Sequence, residues 1–159
     1  MKIDILAVGK TKEKYYRDAA DEYLKRLSRY AKVSVTEVKD EKTTEGASDR
    51  ENEIVKKTEA KRLNNYIAED AVIIALCIEG DQLSSERFAE QITSFENRGT
   101  SHIQFIIGGS LGLDDEIKNR AAIRLSFSKM TFPHQLARVV LLEQIYRAYR
   151  IKNNEPYHK

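Results

Sequence analysis

The chain has 159 residues, with 27 Lys plus Arg against 25 Asp plus Glu, a formal charge of +2 with histidine neutral. That length supports one sizeable core spanning residues 1–159 and leaves little room for a second domain. The 41% hydrophobic and 33% charged content, with seven glycines and two prolines, excludes collagen-like and low-complexity chains and argues against disorder.

Residues Lys2 to Val8 alternate weakly and end at Gly9, which predicts a first strand running into a loop. The start, MKIDILAVGKTKEK, lacks the apolar region and cleavage site of a secretory signal, so a cytoplasmic protein is expected. From Lys14 to Tyr30, residues Tyr16, Ala19, Ala20, Tyr23, Leu24, Leu27 and Tyr30 recur at intervals of three and four, the stripe of an amphipathic helix. Val33, Val35 and Val38 predict a second strand, followed by a polar loop from Lys39 to Ala47. Ser48 with Glu51 forms a capping-box pattern for a helix to about Glu69, with Ile54, Val55, Leu63 and Ile67 facing inward.

Ala71 to Ile78 is the strongest strand signal, with Gly80 as its expected end. This run is less than half the length that crosses a bilayer, about 20 residues, so no membrane span is expected. The single cysteine, Cys77, lies inside it and reads as a small buried side chain rather than a reactive thiol. Ser84 or Ser85 caps a helix through Phe88, Ile92 and Phe95 to Gly99, and His102 to Ile107 is another apolar strand. A short helix over Asp114–Ala122, a brief strand over Arg124–Ser128 and a final helix over Gln135–Lys152, introduced by Pro133, complete the chain. The order predicts an α/β domain with a mostly parallel sheet flanked by helices on both faces. Ligands in such sheets bind beyond the C-terminal ends of the strands, here Glu79–Ser84, Gly108–Gly112 and Lys129–His134.

The segment IIGGSLG places three glycines directly after a buried strand. It is either a tight turn or a place where exposed backbone holds an adenine, ribose or methionine-like ligand. G-x-G-x-x-G, the Walker loop and G-x-S-x-G are all absent. In SFSKMTFPHQLARV, backbone around Phe127 to Phe132 could wall a pocket, His134 reads as structural or site-forming, and Arg138 as a surface ion pair or an anion fork. His102, His134 and His158 have no metal-ligand spacing, so no metal is expected. Residues 118–159 hold nine basic residues against two acidic ones, +7, while the preceding 117 hold 18 against 23, −5. That basic quarter reads as an RNA-facing surface or as an ordinary basic helix.

ILAVGK, FIIGGSLGL, SFSKMTFPHQLARVVLLEQIYRAYRI and the terminal PYHK together resemble, over essentially the whole chain, the RlmH family of SPOUT, or knotted, methyltransferases. The resemblance implies a homodimer that uses S-adenosyl-L-methionine to methylate N3 of a pseudouridine, pseudouridine 1915, in 23S ribosomal RNA of the assembled ribosome. It implies a C-terminal trefoil knot, which connectivity rules alone would reject. It also implies that Leu76, Gly108, Phe127, Ser128, Lys129, Met130, Thr131 and Phe132 line the cofactor pocket, with Arg138, Tyr157 and His158 near the acceptor across the dimer interface. In that picture Arg138 positions RNA or stabilises negative charge, His158 is a possible base and Tyr157 orients the target. The competing readings are a noncatalytic RNA-binding or ribosome-associated module and a small-molecule enzyme using another nucleotide.

Overall fold

A computed structural model describes residues 1–159. Five strands, β1 (Lys2–Val8), β2 (Lys32–Val38), β3 (Val72–Gln82), β4 (His102–Ile107) and β5 (Ile123–Ser126), form one parallel sheet in the order β2-β1-β4-β3-β5. The helices are α1 (Lys14–Leu27), α2 (Asp49–Asn64), α3 (Ser85–Asn97), α4 (Asp115–Arg120) and α5 (His134–Lys152). None is long and apolar enough to cross a membrane.

Side-chain alternation divides the interior between the two faces of the sheet. Ile3, Ile5 and Ala7 of β1 and Ile103, Phe105 and Ile107 of β4 pack beneath Leu27 of α1, Phe88 and Ile92 of α3, and Leu141, Leu142 and Ile145 of α5. Leu6, Val8 and Ile106 point the other way, against Ala60 and Leu63 of α2 and Ile117 of α4. Every residue of β4 is buried, as expected of a central parallel strand covered on both sides. At the opposite end from the C-terminal loops, the Asp4 carboxylate accepts hydrogen bonds from Ser34 Oγ (2.7 Å) and Gln104 Nε2 (3.3 Å) and meets His102 Nε2 at 2.7 Å. Burial pushes its pKa up, but these bonds and Lys2 outweigh it and hold the group below the ordinary carboxylate range.

Five local expectations are corrected. The first helix stops at Leu27, leaving Tyr30 in a turn where it stacks on Tyr149. α2 stops at Asn64, and Ile54 is 56% exposed rather than facing inward. β5 ends at Ser126, two residues early. Gly80 does not end β3, which continues to Gln82. A Cβ on Gly80 would lie 2.7 Å from the backbone carbonyl of Arg124, and the β3–β5 register shifts between Leu76 and Asp81. This glycine therefore marks a bulge where two backbones pass closely, not a stop. The helix starts follow their caps: Ser48 Oγ accepts the Glu51 N–H and Ser84 Oγ the Arg87 N–H, each at 3.2 Å.

Candidate functional site

The C-terminal ends of β3, β4 and β5 open onto a cavity of about 530 Å³, within the size range of small-molecule sites. One wall is the turn after β4, where Gly108, Gly109, Ser110 and Gly112 all line the space. Gly112 has φ +83°, and a Cβ on Gly108 would lie 2.6 Å from the carbonyl carbon of Gly112, so the turn closes tightly only with glycine at both positions. Behind it, Glu59 of α2 is buried and accepts the Glu41 N–H at 3.0 Å. Burial pushes its pKa up, and a Cβ on Gly109 would meet its carboxyl oxygens at 3.1 Å.

The opposite wall is the link from β5 to α5. Ser126 Oγ donates to Ser128 O at 3.0 Å and Ser128 Oγ accepts the Met130 N–H at 3.0 Å, a hydroxyl-built turn. From Phe127 to Phe132 no backbone group bonds to other backbone, so several N–H and C=O groups remain for a ligand. Leu76, Ile78, Met130 and Phe132 supply apolar surface and Ser110, Ser126, Ser128 and Thr131 supply hydroxyls, while no Lys or Arg lines the cavity. A phosphate-rich nucleotide would find no cation here. A nucleoside joined to a short chain, such as S-adenosylmethionine, fits the neutral walls and uncommitted backbone.

Seven of the eight residues expected at a cofactor, Leu76, Gly108, Phe127, Ser128, Met130, Thr131 and Phe132, line this cavity. Lys129 does not; it is exposed. Cys77 is half-buried in the wall rather than fully buried, and burial, with Glu79 nearby, raises its thiol pKa, so it stays protonated and unreactive at neutral pH. His134 opens α5 without capping it and lines the cavity, and no side-chain or backbone partner takes its ring. The open choice of a surface role for Arg138 resolves differently: the side chain is 2% exposed and outside the cavity. Its Nη2 donates to the carbonyls of Val8 (2.8 Å) and Gly9 (2.7 Å), and its Nη1 donates to Thr11 Oγ1 (2.8 Å) and pairs with Glu37. Sequence reasoning missed Glu37 and Thr11, for which no local signal exists.

Tyr157 and His158 also lie outside the cavity of their own chain. Tyr157 Oη donates to Glu143 at 3.0 Å beneath the Arg147 guanidinium, and the His158 ring sits between Arg147 (3.1 Å) and Glu86 (2.7 Å). Burial and the hydrogen bonds to Tyr23 and Glu143 raise the Tyr157 pKa, keeping the phenol protonated. Much of the basic C-terminal quarter is spent on acids. Lys118 meets Glu79, Arg138 meets Glu37, Arg147 meets Glu143, Arg150 meets Glu155 and Lys152 meets Glu96.

His134 gives a testable pH effect. Burial first and the Arg138 charge second lower its pKa from 6.5, with Asp40 opposing. The unfolded chain therefore takes up this proton before the folded one as pH falls. The ring's contribution is complete above about pH 6.5 and declines as pH drops through that value toward the folded pKa. In urea titrations between pH 7.5 and 5, His134→Gln should lose less stability than the parent, whereas parallel curves would contradict the assignment.

The parallel sheet with a neutral ligand cavity at its C-terminal edge defines a ligand-binding α/β domain, and a family model described as "Predicted SPOUT methyltransferase" matches residues 1–158. A protein named "Ribosomal RNA large subunit methyltransferase H" from Bifidobacterium animalis subsp. lactis (strain AD011) is 60% identical over 159 residues, 100% of both chains. Proteins of the same name from Bacillus cytotoxicus and Clostridioides difficile (strain 630) are 56% and 54% identical, again over 100% of both chains. The chain belongs to the ribosomal RNA large subunit methyltransferase H (RlmH) family of SPOUT methyltransferases.

Proposed function

We propose that this chain is a cytoplasmic, homodimeric enzyme that transfers a methyl group from S-adenosyl-L-methionine to N3 of a pseudouridine, pseudouridine 1915, in 23S ribosomal RNA of the assembled ribosome. The observation that carries this reading is the neutral cavity between the Gly108–Gly112 turn and the Phe127–Phe132 segment, in a chain whose full-length relatives bear the name of an rRNA methyltransferase. A trefoil knot, in which the final segment threads beside the glycine turn, belongs to the same proposal. It is supported by membership of the SPOUT methyltransferase family.

When bound, the cofactor supplies a methyl group already activated by its sulfonium, so the protein must align the acceptor and accept one proton. Backbone groups of Gly108–Ser110 and Phe127–Phe132 hold the cofactor, and Leu76, Met130 and Phe132 cover its apolar parts. His158 is the candidate to accept the N3–H proton, once the acceptor draws its ring from Arg147 and Glu86. Tyr157, a protonated phenol, orients the target base. In this proposal the tail of one subunit serves the cavity of the other, a reading supported by Tyr157 and His158 standing outside their own chain's cavity. Arg138 acts as a positioning residue, since its guanidinium is committed to the loop after β1.

The test is transfer of labelled methyl groups to intact ribosomes and to protein-free rRNA, followed by nucleoside mapping. Label recovered as N3-methylpseudouridine in 23S rRNA, with ribosomes preferred, is the expected result. Ribosome binding without cofactor binding or methyl transfer would overturn it in favour of a noncatalytic RNA-binding module.

A further inference from the structure

Five of the nine cations of residues 118–159 are paired with acids, Arg120, Arg124, Lys129 and Lys159 are not, and a second group of cations without acid partners lies outside that stretch. The loop after β1 carries Lys10 and Lys12, both exposed and in no side-chain hydrogen bond or ion pair, and Arg17, which faces two backbone carbonyls and no acid. Against them stands Glu13; Lys14 pairs with Asp18. Next to the lysines, Tyr15 is 64% exposed and leans on Tyr16, with ring centroids 4.6 Å apart. An exposed tyrosine among unpaired cations is the combination that holds a nucleic-acid strand, phosphates on the cations and a base on the ring.

The loop is also rigid for a surface segment. Arg138 holds the Val8 and Gly9 carbonyls and the Thr11 hydroxyl, Glu37 accepts the Thr11 N–H (2.6 Å), Gln135 Oε1 accepts the Lys12 N–H (2.9 Å), and Arg17 donates to the carbonyls of Thr11 (3.2 Å) and Lys12 (2.6 Å). Side chains on such a platform lose less freedom on binding than side chains on a loose loop. The platform adjoins the cavity: His134, which lines it, brings Nε2 to 3.6 Å from the place of a Cβ on Gly9. Lys10 and Lys12 also follow the strand beside β4, so they stand on the same C-terminal edge as the glycine turn.

We propose that Lys10, Lys12 and Tyr15 form an RNA-docking surface, the two lysines contacting phosphates and Tyr15 stacking an unpaired base near the methylated nucleotide. The proposal rests on the rRNA methyltransferase reading and adds to it an RNA-contacting element in the N-terminal third of the chain, away from the basic C-terminal helix.

The experiment compares the full-length protein with Lys10→Gln/Lys12→Gln and Tyr15→Ala, measuring direct binding to ribosomes lacking the mark and the KM for those ribosomes across a salt series. For the double variant, affinity should fall about tenfold or more near physiological salt, and the slope of log affinity against log salt should shrink by about 1.4, the value for two single-strand phosphate contacts. Tyr15→Ala should lose about tenfold with an unchanged salt slope, as loss of one stacked base would give. Affinity for S-adenosylmethionine, measured calorimetrically, reports whether the fold and cavity survive, which these exposed positions predict. Parental ribosome affinity and salt slope in all variants would overturn the docking surface while leaving the enzymatic reading in place. Parental protein that binds ribosomes through these residues yet transfers no methyl group would overturn the enzymatic reading and leave the surface standing. Retention of the full effect on ribosomes with none on protein-free rRNA would assign the surface to a ribosomal protein and overturn the RNA assignment.

Discussion

Replacing Gly108 with alanine is expected to weaken S-adenosylmethionine binding by about 100-fold, equivalent to about 2.8 kcal/mol, and to remove methyl transfer at ordinary cofactor concentrations. The added methyl would sit 2.6 Å from the Gly112 carbonyl carbon, 2.8 Å from its oxygen and 2.9 Å from the Leu113 nitrogen. All three are backbone atoms, so the clash is relieved only by opening the turn that forms one wall of the cavity. β4 is paired with β1 and β3 through Ile107, ahead of the turn, and the variant should retain the parental circular dichroism spectrum. Calorimetric titration checks this directly, and parental affinity in Gly108→Ala would remove the turn from the binding site.

The second large effect concerns Arg138. Arg138→Met keeps much of the side-chain volume but strips four interactions at once, leaving the carbonyls of Val8 and Gly9 without the guanidinium and Glu37 with only its bonds from Thr11. A hydrogen bond to a charged group contributes about 1.5–3 kcal/mol, and because Glu37 is partly exposed and keeps its Thr11 bonds, a loss of about 2–3 kcal/mol should appear in urea denaturation. Arg138→Lys should recover little, because one ammonium cannot reach both carbonyls and Glu37 with fixed geometry. If Arg138 acted by touching RNA, Arg138→Met would lower activity while leaving stability unchanged. The structural role predicts the reverse order: stability falls first, and ribosome affinity follows because the loop bearing Lys10 and Lys12 loses its anchor.

These positions show where local sequence carries the fold and where it does not. The central strands were legible because β4 is apolar throughout and β3 nearly so, and the cavity was legible because Gly108–Gly112 and Phe127–Phe132 both follow strands ending on one sheet edge. Gly80 was misread because a glycine that permits close passage of Arg124 looks, in sequence, like one that ends a strand. Arg138 was misread for a different reason. Its partners Val8, Gly9, Thr11 and Glu37 lie more than 100 residues away, joined only when β1, β2 and α5 come together. The charge count failed in the same manner: Glu37, Glu79 and Glu96 belong to the acidic portion of the chain but neutralise Arg138, Lys118 and Lys152 of the basic one. Electrostatic surfaces depend on which charges remain unpaired after folding, and Lys10 and Lys12 are among those that do.

The central claim is that one cavity, built from the turn after β4 and the segment after β5, holds the cofactor. Hydrogen exchange with and without S-adenosylmethionine measures it most directly. Protection concentrated in amides 108–112 and 127–132, with the Asp4–His102 end of the sheet unchanged, is the predicted result. Protection at that opposite end, or none at either loop under saturating cofactor, would contradict it.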